Sequence, residues 1–185
     1  MNKKAKTLLH CCCAPCASYV LECLIPQNDV TLFFYNPNIE PRSEYYKRRD
    51  ELPTLLKKAS LTTKVKLLGC EYDNAVFRNM ALSLCEEPEG GVRCRVCLEL
   101  RLAETARQAV AGEYNSFATT LTVSPHKDAL LINEIGYRLA KKHGIKYQYS
   151  DFKKCNGYNR SVELSKEYGL YRQSYCGCAV SMPEI

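Results

Sequence analysis

Residues 7–16, which read Thr-Leu-Leu-His-Cys-Cys-Cys-Ala-Pro-Cys, decide the fold of this chain. The β-favouring run Thr7–His10 passes at once into a turn, and Pro15 suits the first turn of a helix. A strand that leads directly into a helix is the opening unit of a parallel α/β sheet. The turn carries four cysteines and lacks the glycines of a phosphate-binding loop, so it disfavours nucleotide chemistry.

The remainder of the chain repeats this alternation of short strands and longer helices. The predicted strands are Thr7–His10, Val30–Tyr35, Lys64–Leu68, Ser116–Thr120 and Lys146–Tyr149. The predicted helices are Pro15–Leu24, Ser43–Ala59, Asp73–Leu84, Cys94–Ala111 and Lys127–His143, with a further helix at Val162–Tyr168. The pattern predicts an open, mostly parallel α/β sheet flanked by helices (Rossmann-like). We expect a single metal-binding domain over residues 1–185, with a less regular segment at residues 151–185.

Several polar or sulfur-bearing segments directly follow the predicted strands. They are residues 11–16, 36–38, 119–125 and 151–152. The carboxyl ends of parallel strands lie at one edge of the sheet, where ligands bind, so we expect these segments to converge. We also expect the cysteine-rich C-terminal tail to pack near the same strand ends. Ser124-Pro125 is in addition a cap signature for the helix that follows.

The composition restricts the class of protein. Twelve cysteines in 185 residues exceed ordinary usage but fall short of a disulfide-built secreted scaffold. A signal-peptide pattern and a run of ~18 apolar residues are both missing, which predicts a cytoplasmic protein with no membrane partner. Thiols stay reduced in the cytosol, so clustered cysteines indicate metal binding or redox chemistry. The net charge of +6 permits a polyanionic partner such as RNA.

Two cysteine groups suit a shared metal centre. Cys11–Cys16 lie at a strand-to-helix turn, where helix N-terminal amides favour the thiolate. Cys94 and Cys97 open a helix three residues apart, so both sulfurs lie on one helix face. Groups in such distant parts of the chain predict a tetrathiolate site closed by the fold. Zinc and an iron–sulfur cluster both remain open at this point.

A third group consists of Cys176 and Cys178, which only Gly177 separates. This spacing allows a strained disulfide that is easily reduced and therefore suited to redox chemistry. The isolated cysteines are expected to be buried structural thiols, namely Cys23, Cys70 and Cys85.

Taken together, these motifs resemble those of the QueH family of epoxyqueuosine reductases. The matching stretches are residues 8–16, 33–39, 45–49, 87–97, 118–121, 124–125 and 170–178. They cover almost the whole chain in order, and their combination is highly specific. The chain departs from the family pattern at two positions. Cys11 adds a third consecutive thiol, and Glu40 stands where the family often has histidine.

The resemblance implies an enzyme of the last step of queuosine biosynthesis, which reduces epoxyqueuosine in tRNA to queuosine. The implied ligands of a [4Fe-4S] cluster are Cys12, Cys13, Cys94 and Cys97. Cys16 is the candidate ligand of an additional mononuclear iron, and Cys11 is a reserve ligand. Cys176 and Cys178 match the redox-active disulfide of the family. Removal of the epoxide oxygen consumes two electrons and two protons, so an external electron donor is also expected.

Proton donors and RNA-contacting residues are predicted from position alone. The candidate proton donors, all at predicted strand ends, are His10, Tyr35, Thr119 and Thr120. For His10, a metal-ligand role and a hydrogen-bonded core position are open as well. The C-terminal region combines cations with tyrosines and is predicted to contact tRNA through Arg160, Lys166, Tyr171 and Arg172.

Two other classes of function stay open at this stage. The first is a metal-free thiol–disulfide oxidoreductase that uses Cys13 and Cys16 as a Cys-x-x-Cys pair. The second is a zinc-stabilised RNA-binding module without catalysis. Iron, sulfide and zinc analysis of anaerobically purified protein separates the three classes. No oligomeric state is predicted.

Overall fold

The computed structural model describes residues 4–182, and the ends of the expected domain, residues 1–3 and 183–185, lie outside them. Within the described range the strands are β1 (Ala5–His10), β2 (Asn28–Phe34), β3 (Lys66–Gly69), β4 (Ser116–Thr119) and β5 (Lys146–Tyr147). The α-helices of the same range are α1 (Ala14–Leu24), α2 (Arg42–Lys58), α3 (Ala75–Ala81), α4 (Val92–Ala111), α5 (Ala129–His143) and α6 (Gly157–Glu167).

The strands form one sheet in the order β3-β2-β1-β4-β5, and every neighbouring pair is parallel. This confirms the predicted open α/β sheet, which is wholly parallel among the described strands. The chain first moves outward from β1 to β3 and then returns to place β4 on the other side of β1. Strand order therefore reverses between β1 and β4, and the crevice at their carboxyl ends is where such folds bind ligands.

Alternate residues of the central strands enter two separate hydrophobic layers. Leu9 packs on the face that α1 and α2 cover. Leu8 packs with Phe33 and Phe117 on the face that α4 and α5 cover. This alternation is the expected consequence of the two-residue period of a strand buried on both faces. Helix α6 lies against α1, and the tail after α6 returns to the carboxyl ends of the strands.

The start of α5 differs from the prediction. The helix begins at Ala129, where the carboxylate of Asp128 accepts hydrogen bonds from the backbone N–H groups of Leu130 at 2.8 Å and Leu131 at 3.2 Å. The cap expected at Ser124 is therefore wrong, because Asp128 satisfies the free amides of the first turn. Ser124 accepts from the N–H of His126 in the preceding turn. As a result, Lys127, which was predicted to begin the helix, lies on a loop.

Smaller boundary differences follow from tertiary packing. The helix predicted at Asp73–Leu84 is an α-helix only over Ala75–Ala81 and continues as a short 3-10 turn. The helix predicted at Val162–Tyr168 begins earlier, at Gly157, because its first turn packs against α1. Among residues 4–182, no helix is both long and apolar enough to cross a membrane.

Gly157 provides a test of this packing. A Cβ at this position would lie 1.9 Å from the backbone oxygen of Phe152 and 2.4 Å from the ring of Tyr19. Gly157→Ala should therefore lower the free energy of unfolding by about 1–3 kcal/mol, although alanine has the higher helix propensity. Chemical denaturation measures the change. A Cβ on Gly69 would meet nothing within 4 Å, so Gly69→Ala is the matched control. Equal stability of the two variants would contradict the described contact.

Candidate metal and redox site

Three thiols form a compact triad at the turn between β1 and α1. The Sγ atoms of Cys12, Cys13 and Cys16 all lie within 4.8 Å of one another, and those of Cys12 and Cys13 are 3.7 Å apart. The turn brings them together because Cys13 is the N-cap of α1 and Cys16 lies in its first turn. Within residues 4–182, this is the one cluster of histidine, cysteine or carboxylate side chains close enough to hold an ion.

Hydrogen bonds within the triad shift the pKa values of its three thiols in opposite directions. Hydrogen bonds from the Cys13 and Cys16 thiols hold the pKa of Cys12 well below its usual value. The same hydrogen bond raises the pKa of Cys13 to about 12, and the pKa of Cys16 is also raised well above its usual value. These shifts favour the thiolate at Cys12, with the Cys13 and Cys16 thiols as its hydrogen-bond donors. A thiolate with two adjacent thiols is a ready ligand set for a thiophilic metal.

Cys11 is not part of this triad. It is fully buried in the hydrophobic layer under α1, and its thiol donates to the backbone oxygen of Phe33 at 3.6 Å. Burial raises the pKa of Cys11 well above its usual value, which keeps the thiol protonated. The structure therefore places the reserve ligand on the core side of the turn.

Cys94 and Cys97 lie in the first two turns of α4, across the crevice from the triad. The backbone N–H of Gly90 donates to Cys94 Sγ at 3.2 Å, and Cys97 is buried. Burial raises the pKa of Cys97 to about 11. Neither sulfur belongs to the triad, but both line a pocket that also contains Cys176 and Cys178.

The guanidinium of Arg101 lies between these groups of thiols. Its side chain is one turn beyond Cys97 on α4 and is only 3% exposed. Its Nε donates to the backbone oxygen of Cys97 at 3.3 Å, and its Nη1 donates to Asn36 Oδ1 at 3.4 Å. No carboxylate in residues 4–182 pairs with it. Burial would lower the pKa of Arg101, but the surrounding thiols raise it, Cys97 most.

Lys127 is a second cation of the same site. It lies on the loop between β4 and α5, and its Nζ donates to Cys176 Sγ at 3.0 Å. Burial would lower the pKa of Lys127, but the neighbouring Cys176 raises it. Lys127 and Arg101 each line two cavities. One is the pocket that contains Cys94 and Cys97, and the other is a larger cavity beside Cys12.

The larger cavity has a volume of about 370 Å³, within the range of small-molecule sites. Its wall combines residues of the β1–α1 turn, the loop before α5, α6 and the C-terminal tail. Cys12 and Cys16 lie on one side of this wall and Cys176 on another. The adjoining pocket of Cys94 and Cys97 is smaller, about 60 Å³. The two cavities share Arg101, Lys127 and Cys176 in their walls, so all three cysteine groups border one crevice region at the carboxyl edge of the sheet.

The tail is held in place by α2. Arg48 of α2 is 1% exposed and donates to the backbone oxygens of Cys176 at 3.0 Å and Tyr175 at 3.2 Å. Its charge is balanced by Glu44, at 2.7 Å. Gly177 has a φ of 140°, and a Cβ there would lie 2.9 Å from Asn38 Nδ2, so the position requires glycine. These contacts confirm that the tail packs near the strand ends.

The tail also contacts the triad. Gln173 Nε2 donates to Cys13 Sγ at 3.1 Å. Cys176 and Cys178 are both free thiols in the structure, so their disulfide stays a prediction. Cys176 faces the cavity, whereas Cys178 is buried beside Cys97.

The four residues proposed as proton donors are not part of the walls of the two described cavities. Both ring nitrogens of the buried His10 are hydrogen-bonded, one to Thr119 Oγ1 and one to the Tyr35 backbone oxygen, each at 3.1 Å. Burial and then Arg101 lower the pKa of His10 to about 4, so the ring is neutral. Thr119 and Thr120 are fully buried, and Thr120 Oγ1 lies 3.7 Å from Cys12 Sγ. None of the four lines the described cavity.

The residues predicted to contact RNA differ in their access to the cavity. Arg172 lines the cavity and is hydrogen-bonded to Ser165 Oγ at 3.2 Å. Lys166 is exposed on α6, outside the cavity wall. Arg160 pairs with Glu22 and Glu163. Tyr171 donates to the Glu44 carboxylate, and the ammonium of Lys47 covers its ring at 3.5 Å from the centroid. Arg172 is therefore the best placed of the set to meet a ligand.

Sequence reasoning missed Arg101, Lys127 and Gln173. The spacing could have revealed Arg101, because positions four and seven residues after two cysteines share their helix face. The isolated Cys23 and Cys85 are exposed, so the expectation that they are buried is wrong, and Cys70 is half-buried. Cys23 and Cys85 line neither of the two described cavities, so they take no part in the site.

Comparison with known proteins points to the same family as the sequence motifs. A family model described as "Epoxyqueuosine reductase QueH" matches residues 7–184. The protein of that name from Staphylococcus epidermidis is 43% identical over 181 residues, covering 96% of this chain and 76% of the relative. Its namesake from Streptococcus pyogenes is 45% identical over 173 residues, covering 92% and 68%. The Thermotoga maritima protein is 38% identical over 180 residues, covering 96% and 90%. This chain therefore belongs to the QueH family of epoxyqueuosine reductases, a family of oxidoreductases.

Proposed function

We propose that this protein reduces epoxyqueuosine in tRNA to queuosine with the help of an iron–sulfur cluster. The observation that carries the proposal is the convergence of three cysteine groups on one crevice around Arg101. The names of the relatives supply the substrate, epoxyqueuosine, and the reaction class, reduction. A cavity of about 370 Å³ beside the thiols is large enough to receive a modified base.

The donor set fits the proposed cofactor. Thiolates are the usual ligands of [4Fe-4S] clusters, whose complexes with four thiolates are anionic. The buried Arg101 and the half-buried Lys127, neither of which pairs with a carboxylate in the described residues, fit such an anionic centre. Following the family resemblance, we assign Cys12, Cys13, Cys94 and Cys97 as cluster ligands. Cys16 is then left for an additional mononuclear iron. When bound, the cluster would supply electrons one at a time.

The remaining groups of the crevice handle the substrate and its redox balance. Deoxygenation of an epoxide to an alkene consumes two electrons and two protons and releases water. Cys176 and Cys178 together can store two electrons as a dithiol, and an external one-electron donor restores them. Arg172 at the cavity mouth can meet a tRNA phosphate.

Removal of the assigned cluster ligands tests the proposal. Protein purified and reconstituted without oxygen should contain iron and sulfide and show an absorbance band of an iron–sulfur cluster. Cys12→Ala, Cys13→Ala, Cys94→Ala and Cys97→Ala should each lose most of the iron, because a four-ligand site is incomplete with three. Metal analysis provides the measurement.

Cys155→Ala is the matched control, because Cys155 is exposed and outside the site. It should retain its iron. Full iron content in the Cys94→Ala and Cys97→Ala variants would exclude the assigned ligand set. Protein that binds zinc tightly and never iron would instead favour the zinc-stabilised RNA-binding module.

Substitution of the tail cysteines separates redox storage from metal binding. We expect Cys176→Ser and Cys178→Ser to retain full iron content but to lose most formation of queuosine, because the two-electron store is gone. Nucleoside analysis of the digested tRNA measures the product. Undiminished formation of queuosine in both variants would show that the pair has no redox role.

Salt dependence of tRNA binding tests the role of Arg172. Arg172→Ala should weaken binding and reduce the slope of log affinity against log salt by about 0.7, the value for one phosphate contact on a single strand. Arg160→Ala should have a smaller effect, because Glu22 and Glu163 already balance Arg160. An unchanged salt slope for Arg172→Ala would remove this residue from the interface.

A further inference from the structure

The deoxygenation needs an acid beside the substrate, and the crevice contains one that the sequence did not reveal. Both protons consumed by the reaction end on the departing oxygen atom, which leaves as water. Such a donor must reach the substrate, usually within hydrogen-bond distance. His10, Tyr35, Thr119 and Thr120 do not line the described cavity. Lys127 lines both this cavity and the adjoining pocket.

The ammonium of Lys127 is positioned by its surroundings. Its backbone is fixed on both sides, since its N–H donates to the Ser124 backbone oxygen at 3.3 Å and its own oxygen accepts from Lys153 Nζ at 2.6 Å. Nζ has one protein partner among the described residues, Cys176 Sγ at 3.0 Å. An ammonium has three N–H groups, so two remain for a ligand in the cavity.

No neighbouring carboxylate neutralises this ammonium. Asp128, the next residue, directs its carboxylate to the backbone N–H groups at the start of α5. Glu89 lines the same cavity but does not form an ion pair with Lys127 within residues 4–182. Cys176 raises the pKa of Lys127, which keeps the amine protonated at neutral pH. The proton is therefore available when an alkoxide, a far stronger base, develops nearby.

We propose that Lys127 is the catalytic acid that protonates the epoxide oxygen during deoxygenation. This inference rests on the proposed function. Two electrons, which come in the end from an external one-electron reductant, enter the substrate, both C–O bonds break, and a C=C bond forms. Lys127 gives the oxygen its first proton as the first C–O bond breaks. Solvent supplies the second proton and later reprotonates the amine, so the products are the alkene and water.

Chemical rescue tests the proposal directly. The substrate is tRNA that carries epoxyqueuosine, the reductant is dithionite, and the single-turnover rate of queuosine formation is measured. Lys127→Ala should lower this rate by about 10²–10⁴-fold, the usual contribution of a general acid. Ethylammonium and other primary amines should restore it in proportion to their concentration, with a dependence on amine pKa. Iron content and tRNA affinity should remain at the level of the unsubstituted protein.

An exposed lysine of α5 provides the matched control. Lys142→Ala removes an exposed lysine of α5 and should leave the rate unchanged. If Lys127→Ala loses its iron, Lys127→Met, which keeps the apolar stem, is used in the same rescue assay. A rate within threefold of the unsubstituted protein overturns the proposal. A lost rate that no amine restores, with iron content and tRNA affinity intact, overturns it as well. Absence of queuosine with the unsubstituted protein would instead refute the proposed function.

Discussion

The buried positive charge at the carboxyl edge of the sheet is the constraint that organises this site. Arg101 cannot lose its proton, and its environment in residues 4–182 offers a backbone carbonyl and an amide oxygen but no carboxylate. A buried charge without a counter-ion costs several kcal/mol. The groups that face it are thiols from three distant parts of the chain, and thiolates are preferred ligands of soft metals. Burial keeps the Cys97 thiol protonated in the structure, so binding of a metal there would release its proton and bring a negative charge next to Arg101.

The sheet and α2 make this arrangement possible. Reversal of strand order beside β1 opens the crevice, and the turn after β1 brings three sulfurs together, two of which, those of Cys12 and Cys16, line it. The third cysteine group comes from a tail with little regular structure, so its position depends on Arg48. Arg48 donates to backbone oxygens of the tail, and Glu44 balances its charge, whereas Arg101 and Lys127 form no ion pair with a carboxylate in the described residues. Arg48, which is paired with Glu44, thus holds the tail, whereas Arg101 and Lys127 face the cavity.

Much of this architecture was predictable because its signals are local. Strand and helix periodicity gave the parallel sheet, and cysteine spacing identified the sulfur-bearing segments. The start of α5 was not predictable in the same way, because Ser124 and Asp128 are both good cap residues and only tertiary packing selects between them. That choice places Lys127 on the loop. Arg101 was missed because an arginine on an amphipathic helix is normally solvated. The exposure of Cys23 likewise depends on which face of α1 the fold leaves open.

Arg101 and Lys127 differ in a way that suits a reductive reaction. Arginine keeps its charge at any physiological pH, so Arg101 can balance an anionic centre without ever giving up a proton. Lysine carries the same charge but can release a proton to a strong base. The arginine lies deep, one turn from Cys97, whereas the lysine lies where both the cavity and Cys176 are within reach. An exchange of the two residues would put the transferable proton away from the substrate and the permanent charge beside it. Under the proposal, the observed order would keep proton transfer beside the substrate and electrostatic compensation beside the thiols that would hold the metal.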